Sequence, residues 1–414
     1  MRKFGTLHQT LLRLGGGGFC SALTGLAALA VVATELAIMF FGATLPTPLY
    51  PLYRGAFGFG QITLTLIYAV YVLGNLVALL FFGRLSDQIG RRPAALPAIG
   101  VGLVSTHTFL LADGTVWLLA ARVLSGFATG LAAGAATAWI AELQPQDDKA
   151  AAASIASAAN FAGLALAPLL AGTLAQFAPW PLRLSYVIYL IMLVGIGLAI
   201  LGPPETVERR ARRIAELSFQ PRLGVPKEIR LAFLSPAVTA FVTFALIGFY
   251  AALIPSLLNE SLQQRSPAVA GAVVFELFVV ATAVAAVTGK LQARSAMLRG
   301  LGLLPPSLTL LVTAQLWRSM PLLLLATMLG GISAALGYRG SLEVVNRIAP
   351  SDKRSEVVSS YLIAVYLGNS LPIIGIGLLS DLVISITAHL AFAVIIGLLA
   401  AVALATGMKY APQH

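Results

Sequence analysis

The feature that most constrains this chain is an apolar run of about twenty residues that recurs twelve times along it. The runs fall near 22–45, 61–82, 95–112, 115–140, 152–177, 184–202, 236–258, 267–289, 298–316, 320–342, 357–379 and 384–408. Inside a bilayer every backbone N–H and C=O must be satisfied within the protein, so only helices and closed barrels span. A barrel needs short strands of alternating character. These runs are continuous instead, and have the length at which a helix crosses hydrocarbon. The chain is 58% hydrophobic over 414 residues, with a mean hydropathy of +0.89. That is more apolar surface than a soluble domain can bury. The expected fold class is an all-α membrane protein with twelve transmembrane helices. Loops are mostly short, so neighbouring helices pack antiparallel, and the 39 glycines suit close helix contact.

Basic residues orient the chain. With an even number of spans both termini share a side. That side collects 22 of the 27 lysines and arginines, the opposite side holds Arg54, Arg183, Arg265 and Arg318, and Arg122 lies within a span. The asymmetry predicts that both termini face the cytoplasm. The net charge of +11 is then a topology signal and not a nucleic-acid footprint. Cys20 is the single cysteine, which excludes an intramolecular disulfide. Phe19 before it does not suit a lipoprotein cleavage site, and the next apolar run is too long for a signal peptide. Residues 1–20 are therefore read as a cytoplasmic tail, with a second short tail at 410–414.

The longest polar interruption, 203–234, separates a six-span half at 21–202 from another at 235–409. Within it Val207, Ala211 and Ile214 fall at helical spacing among Arg209, Arg210, Arg212 and Arg213. A basic amphipathic helix on the anionic inner leaflet fits this pattern, as does a solvated linker. The halves read as repeats. Pro145-Gln146-Asp147-Asp148-Lys149 opens span 5 and Pro350-Ser351-Asp352-Lys353-Arg354 opens span 11, an offset of 205 residues. Ser154 and Gly163 match Ser359 and Gly368 at the same offset.

Between spans 2 and 3 lies Gly83-Arg84-Leu85-Ser86-Asp87-Gln88-Ile89-Gly90-Arg91-Arg92-Pro93, a charged hairpin in a chain only 10% charged. It resembles the signature loop of the major facilitator superfamily, G-x-L-[SA]-D-x-x-G-R-[RK]. Gly289-Lys290-Leu291 is a worn copy in the second half, with Ala293 where the first half has Asp87. The resemblance implies two pseudo-symmetric six-helix bundles rocking about a midplane site, and a monomer. It also implies that Gly83, Asp87, Gly90, Arg91 and Arg92 form a gate. Asp87 would cap the N-terminus of span 11 and latch the cytoplasmic side shut.

Three charged residues lie deep inside spans, away from their ends, where they are costly and mark function. Arg122, Gly126 and Gly130 resemble the span-4 motif of the superfamily, in which the arginine is linked to proton coupling. Glu35 sits in span 1, where several drug exporters of the superfamily carry an acid. Spans 1 and 4 run in opposite directions, so Glu35 and Arg122 are expected at similar depths. A carboxylate poised between an apolar setting and a nearby cation can load and release a proton. Glu276 in span 8 is a second candidate for proton binding or for attracting a cationic substrate.

Gly163, Pro168 and Gly172 resemble the span-5 antiporter motif G-x-x-x-G-P-x-x-G-G, with Ala167 and Ala171 replacing two glycines. A proline there bends the helix, and small neighbours allow close packing. Tyr68, Tyr71 and Asn75 on span 2, Asn160 on span 5, and Tyr366 and Asn369 on span 11 are candidates for lining a substrate cavity or for joining helices. His107 and His389 read as structural. Arg339, Glu343 and Arg347 read as a salt-bridged helix end.

The sequence has no phosphate-binding G-x-x-x-x-G-K-[ST] and no metal-ligand cluster. It shows no soluble domain able to carry catalysis, so an enzyme is not expected, and neither is a cofactor. The expected function is secondary transport of a small molecule across a cell inner membrane, powered by a proton gradient. Proton-coupled export of small, partly apolar compounds is the main reading. A metabolite or sugar carrier is the second, and a non-transporting scaffold or receptor stands as the alternative of another class.

Overall fold

A computed structural model describes residues 23, 25–144, 148–207 and 223–410. The tails, most of the basic linker segment around Arg209–Arg213 and the start of the Pro145 motif lie outside the described residues. The twelve expected spans are helices: α1 (Leu26–Thr44), α2 (Gln61–Phe82), α3 (Arg91–Leu110), α4 (Thr115–Leu143), α5 (Lys149–Phe177), α6 (Leu184–Ala199), α7 (Arg230–Glu260), α8 (Pro267–Val287), α9 (Ala293–Leu316), α10 (Met320–Ile348), α11 (Arg354–Ser380) and α12 (Ser385–Tyr410). Eleven are long and apolar enough to cross a membrane, and α6 is a shorter apolar helix of 16 residues, about 24 Å. The side carrying the signature loop is called inner below, following the charge asymmetry.

Small residues set the packing inside each half. A Cβ on Gly126 would stand 1.9 Å from the Tyr71 carbonyl oxygen, and one on Gly74 would stand 2.2 Å from that of Val123, so α2 and α4 meet backbone to backbone. In the second half Gly300 and Gly340 do the same between α9 and α10.

The halves meet along two antiparallel seams, α5 against α8 and α2 against α11. The first seam rests on the small residues of the span-5 motif. Gly172 abuts the Pro267 carbonyl of α8, Gly271 abuts the Pro168 carbonyl, and Gly163 turns the other way, onto α1 at Ala37. Pro168 has no N–H for the Leu164 carbonyl one turn back. The Thr44 hydroxyl takes that carbonyl instead at 2.9 Å, so the freed backbone group ties α5 to the outer end of α1.

The outer side is closed. Residues 41–50 and 248–258 are buried on every face, although a helix at a bundle surface buries only one stripe. These are the outer ends of α1 and α7, and an outer helix at Tyr50–Phe57 packs against α7. Arg54 of that helix pairs with Glu260 of α7 at 3.0 Å, and the Ser385 hydroxyl donates to the same carboxylate at 2.8 Å. Across the other seam the Gln176 carbonyl accepts from the Ser266 hydroxyl and, at 3.3 Å, from the Ala268 amide.

Candidate functional site

The buried centre of the α2–α11 seam is a polar cluster. Tyr68 donates its hydroxyl to Asn369 Oδ1 at 2.9 Å, and Tyr366 donates to Asn75 Oδ1 at 3.2 Å. Asn75 Nδ2 in turn reaches the Tyr71 hydroxyl at 3.3 Å. Four of the six residues named as cavity-lining candidates thus bond across the two halves, and Tyr71 joins them through Asn75. Asn160 is not joined to them, and its Oδ1 is enclosed with no partner.

Arg122 stands over this cluster. It is 1% exposed, with its guanidinium 4.5 Å from the centre of the Tyr71 ring and 5.8 Å from that of Tyr68. Its Nη1 donates to the Ala43 carbonyl at 2.8 Å. The expected neighbour, Glu35, is not there. Ala43 lies eight residues beyond Glu35 along α1, about 12 Å toward the outer end. Helical side chains lean toward the N-terminus of their own helix. That is outward for Arg122 on α4 and inward for Glu35 on α1, so the two diverge despite similar positions along their spans.

Glu35 is the central residue of α1. It has no exposed surface, and neither carboxyl oxygen has a hydrogen-bond partner among the described residues. Glu276 is half-buried on α8, with Oε2 enclosed and unpartnered. The three intramembrane charges are therefore separate sites.

At the inner side the signature loop folds on itself. Gly90 adopts φ +110°, a conformation that glycine permits, and Gly83 ends α2. Arg91 is 5% exposed and holds the loop together. It donates to Asp87 at 2.5 Å, to Ser86 at 2.8 Å and to both oxygens of Glu142 on α4 at 2.5 and 3.0 Å. Asp87 is 58% exposed and bonded to Arg91. The expected cap on α11 is not formed: no hydrogen bond joins Asp87 to α11 among the described residues.

Sequence reasoning missed the partners of this loop. Glu205, just after α6, accepts from the backbone N–H groups of Arg91 at 2.8 Å and Arg92 at 3.1 Å, capping α3. The Arg92 guanidinium donates to the Pro203 carbonyl and Trp139 to that of Pro204. The start of the expected linker is thus part of the first half. In the second half, with alanine at the aspartate position, Arg339 donates to the carbonyls of Thr288, Gly289 and Leu291 at the inner end of α8. Glu343 pairs with Arg347 and lies 3.9 Å from Arg339. His389 is bonded to Gln315 at 2.7 Å and packs edge-on against Phe249, while His107 is exposed. Among the described residues no group of side chains could hold a metal.

Two six-helix bundles, closed at one end and joined across a buried polar seam, define a multi-pass helical membrane protein. A family model described as Major Facilitator Superfamily matches residues 32–371, and the chain belongs to that family. The quinolone resistance protein NorA of Staphylococcus aureus is 29% identical over 141 residues, 34% of this chain and 36% of that protein. The trichothecene efflux pump TRI12 of Fusarium sporotrichioides is 32% identical over 155 residues, 37% of this chain and 25% of that protein. The chain thus matches only about a third of these relatives' length or less. A bacterial homologue of the human lysosomal transporter Spinster, solved in an inward-facing and unoccupied conformation, shares the fold. Its TM-score is 0.70 at 17% identity, over 93% of this chain and 98% of that one.

Proposed function

We propose that this transporter exports small, partly apolar compounds in exchange for protons, that it sits in a cell inner membrane with both termini cytoplasmic, and that Glu35 carries the proton. The observation that carries the reading is the isolation of the Glu35 carboxyl at the centre of α1, with no exposed surface and no partner for either oxygen. An ionised carboxylate left unpaired in an apolar interior is strongly disfavoured, so the carboxyl exchanges a proton only where it is solvated or paired. Losing that proton requires a conformation in which water or a cation reaches it, and that links the proton to the rocking of the halves. A ligand shifts such an equilibrium only through its differential affinity for the two conformations. The match of part of this chain to a resistance protein and an efflux pump favours export over uptake.

In the cycle, a proton taken up from the outer side is released inside and substrate travels the other way. When the inner ends close, Asp87 leaves Arg91 for the first turn of α11. Glu276 is the second proton-binding candidate. The test is the accumulation of a lipophilic fluorescent dye in efflux-deficient bacteria expressing the chain. Expression should lower dye content, a protonophore should restore it, and Glu35→Gln should abolish the difference. Dye content equally low with Glu35→Gln would remove Glu35 from the mechanism, and dye driven inward would replace export by uptake.

A further inference from the structure

We infer that Arg122 is the anchor for a carboxylate on the transported compound, and that the substrates are amphiphiles with an apolar body and one such group. The inference rests on the transporter reading but not on the direction of transport or on proton coupling.

A guanidinium offers two planar edges. The Nη1 of Arg122 is committed to the Ala43 carbonyl, which leaves the side-on edge formed by Nε and Nη2. Nε is enclosed with no partner, and no hydrogen bond reaches Nη2 among the described residues. That pair of parallel N–H groups matches the two oxygens of a carboxylate, and it is the geometry that makes arginine, and not lysine, the residue for bidentate recognition. The surroundings supply donors and no compensating charge. The Tyr50 hydroxyl, within electrostatic reach of the guanidinium, is also enclosed and unpartnered. No carboxylate forms an ion pair with Arg122 among the described residues, and Glu35 lies two turns away along α1. A buried cation with an unfilled donor edge calls for an anion.

The position suits a substrate. Arg122, Tyr68 and Tyr71 belong to the first half, and the Tyr68 hydroxyl bonds Asn369 of the second. Rocking the halves breaks that contact beside the free edge. The rings of Tyr68 and Tyr71 then flank an aromatic or aliphatic body while the guanidinium takes its charge.

The probes are 2-naphthoate and its neutral isostere 2-naphthamide. They are titrated onto the purified full chain in nanodiscs, in gluconate medium so that chloride does not compete, with binding read by thermal stabilisation. Wild type should bind naphthoate at least about tenfold more tightly than naphthamide. Arg122→Gln should lower that preference to about twofold or less, and Arg122→Lys should keep an intermediate preference because it retains charge without the fork. Should Arg122→Gln fail to fold, the drop with Arg122→Lys alone decides. Equal binding of the two probes to wild type, or an undiminished preference in the folded variants, would overturn the inference. Because dye export and its protonophore sensitivity are read separately in cells, loss of the carboxylate site and loss of the export reading give different results.

Discussion

Thr44 shows how one hydroxyl closes a gap that a proline opens. The Leu164 carbonyl, freed by Pro168, would be unsatisfied inside the membrane without it. Thr44→Val keeps the shape and removes the donor, and should cost about 1–2 kcal/mol in the unfolding free energy of the purified protein. Thr44→Ser should cost less. The identities of the charged residues were legible in the sequence, because an arginine and two glutamates inside apolar runs stand out. Their partners were not. Depth was judged from position along each span, but side chains lean toward their own helix N-terminus, and that separates Arg122 from Glu35. The role of Tyr68, Asn75, Tyr366 and Asn369 as bonds between halves was open for the same reason: spacing places residues on a face but does not say what the face meets.

Among the elements, the α2–α4 pair is the tightest test of small-residue packing. Gly126→Ala places a methyl where the Tyr71 carbonyl already stands, so the helices must part, and the expected loss is about 1–3 kcal/mol. Gly100→Ala, whose added carbon on α3 meets nothing within 4 Å, should cost nothing and gain up to about 1 kcal/mol when both are compared in one denaturation series. The cap on α3 gives a second prediction. Glu205→Ala removes the acceptor for two backbone N–H groups and should cost about 1 kcal/mol, with faster hydrogen exchange at Arg91 and Arg92 and no change in the second half. Existence, number and order of the helices were readable because apolar length is a strong signal. The outer helix Tyr50–Phe57 and the docking of residues 203–207 were not, since short polar and proline-containing segments are fixed by the surfaces they land on and not by their own pattern.

At the scale of the whole molecule, the two ends are built differently. The outer end is held by the Arg54–Glu260 pair and by fully buried helix ends. The inner end of the first half carries a charged loop whose aspartate is exposed, and the corresponding loop of the second half is held by Arg339 on backbone carbonyls. Arg54→Ala should therefore favour outward opening. A half-exposed ion pair contributes only about 0.2–1 kcal/mol, so the population should shift by about fivefold at most, read as longer distances between spin labels across the outer mouth. The exchanged pair Arg54→Glu with Glu260→Arg should restore the distances. Two-half architecture was visible in the 205-residue offset of the Pro145 and Pro350 motifs. Which end is closed was not, because that depends on contacts across the seams between residues far apart in the sequence.

The central claim is that transport is coupled to a proton carried by Glu35. The most direct measurement is proton movement itself, in proteoliposomes holding a pH-sensitive dye, with no membrane potential and no imposed pH gradient, on addition of an exported compound. Wild type should move protons against the substrate flux, and Glu35→Gln should carry substrate down its gradient with no proton movement. Equal proton movement in Glu35→Gln, or substrate flux in wild type without any, would contradict the account.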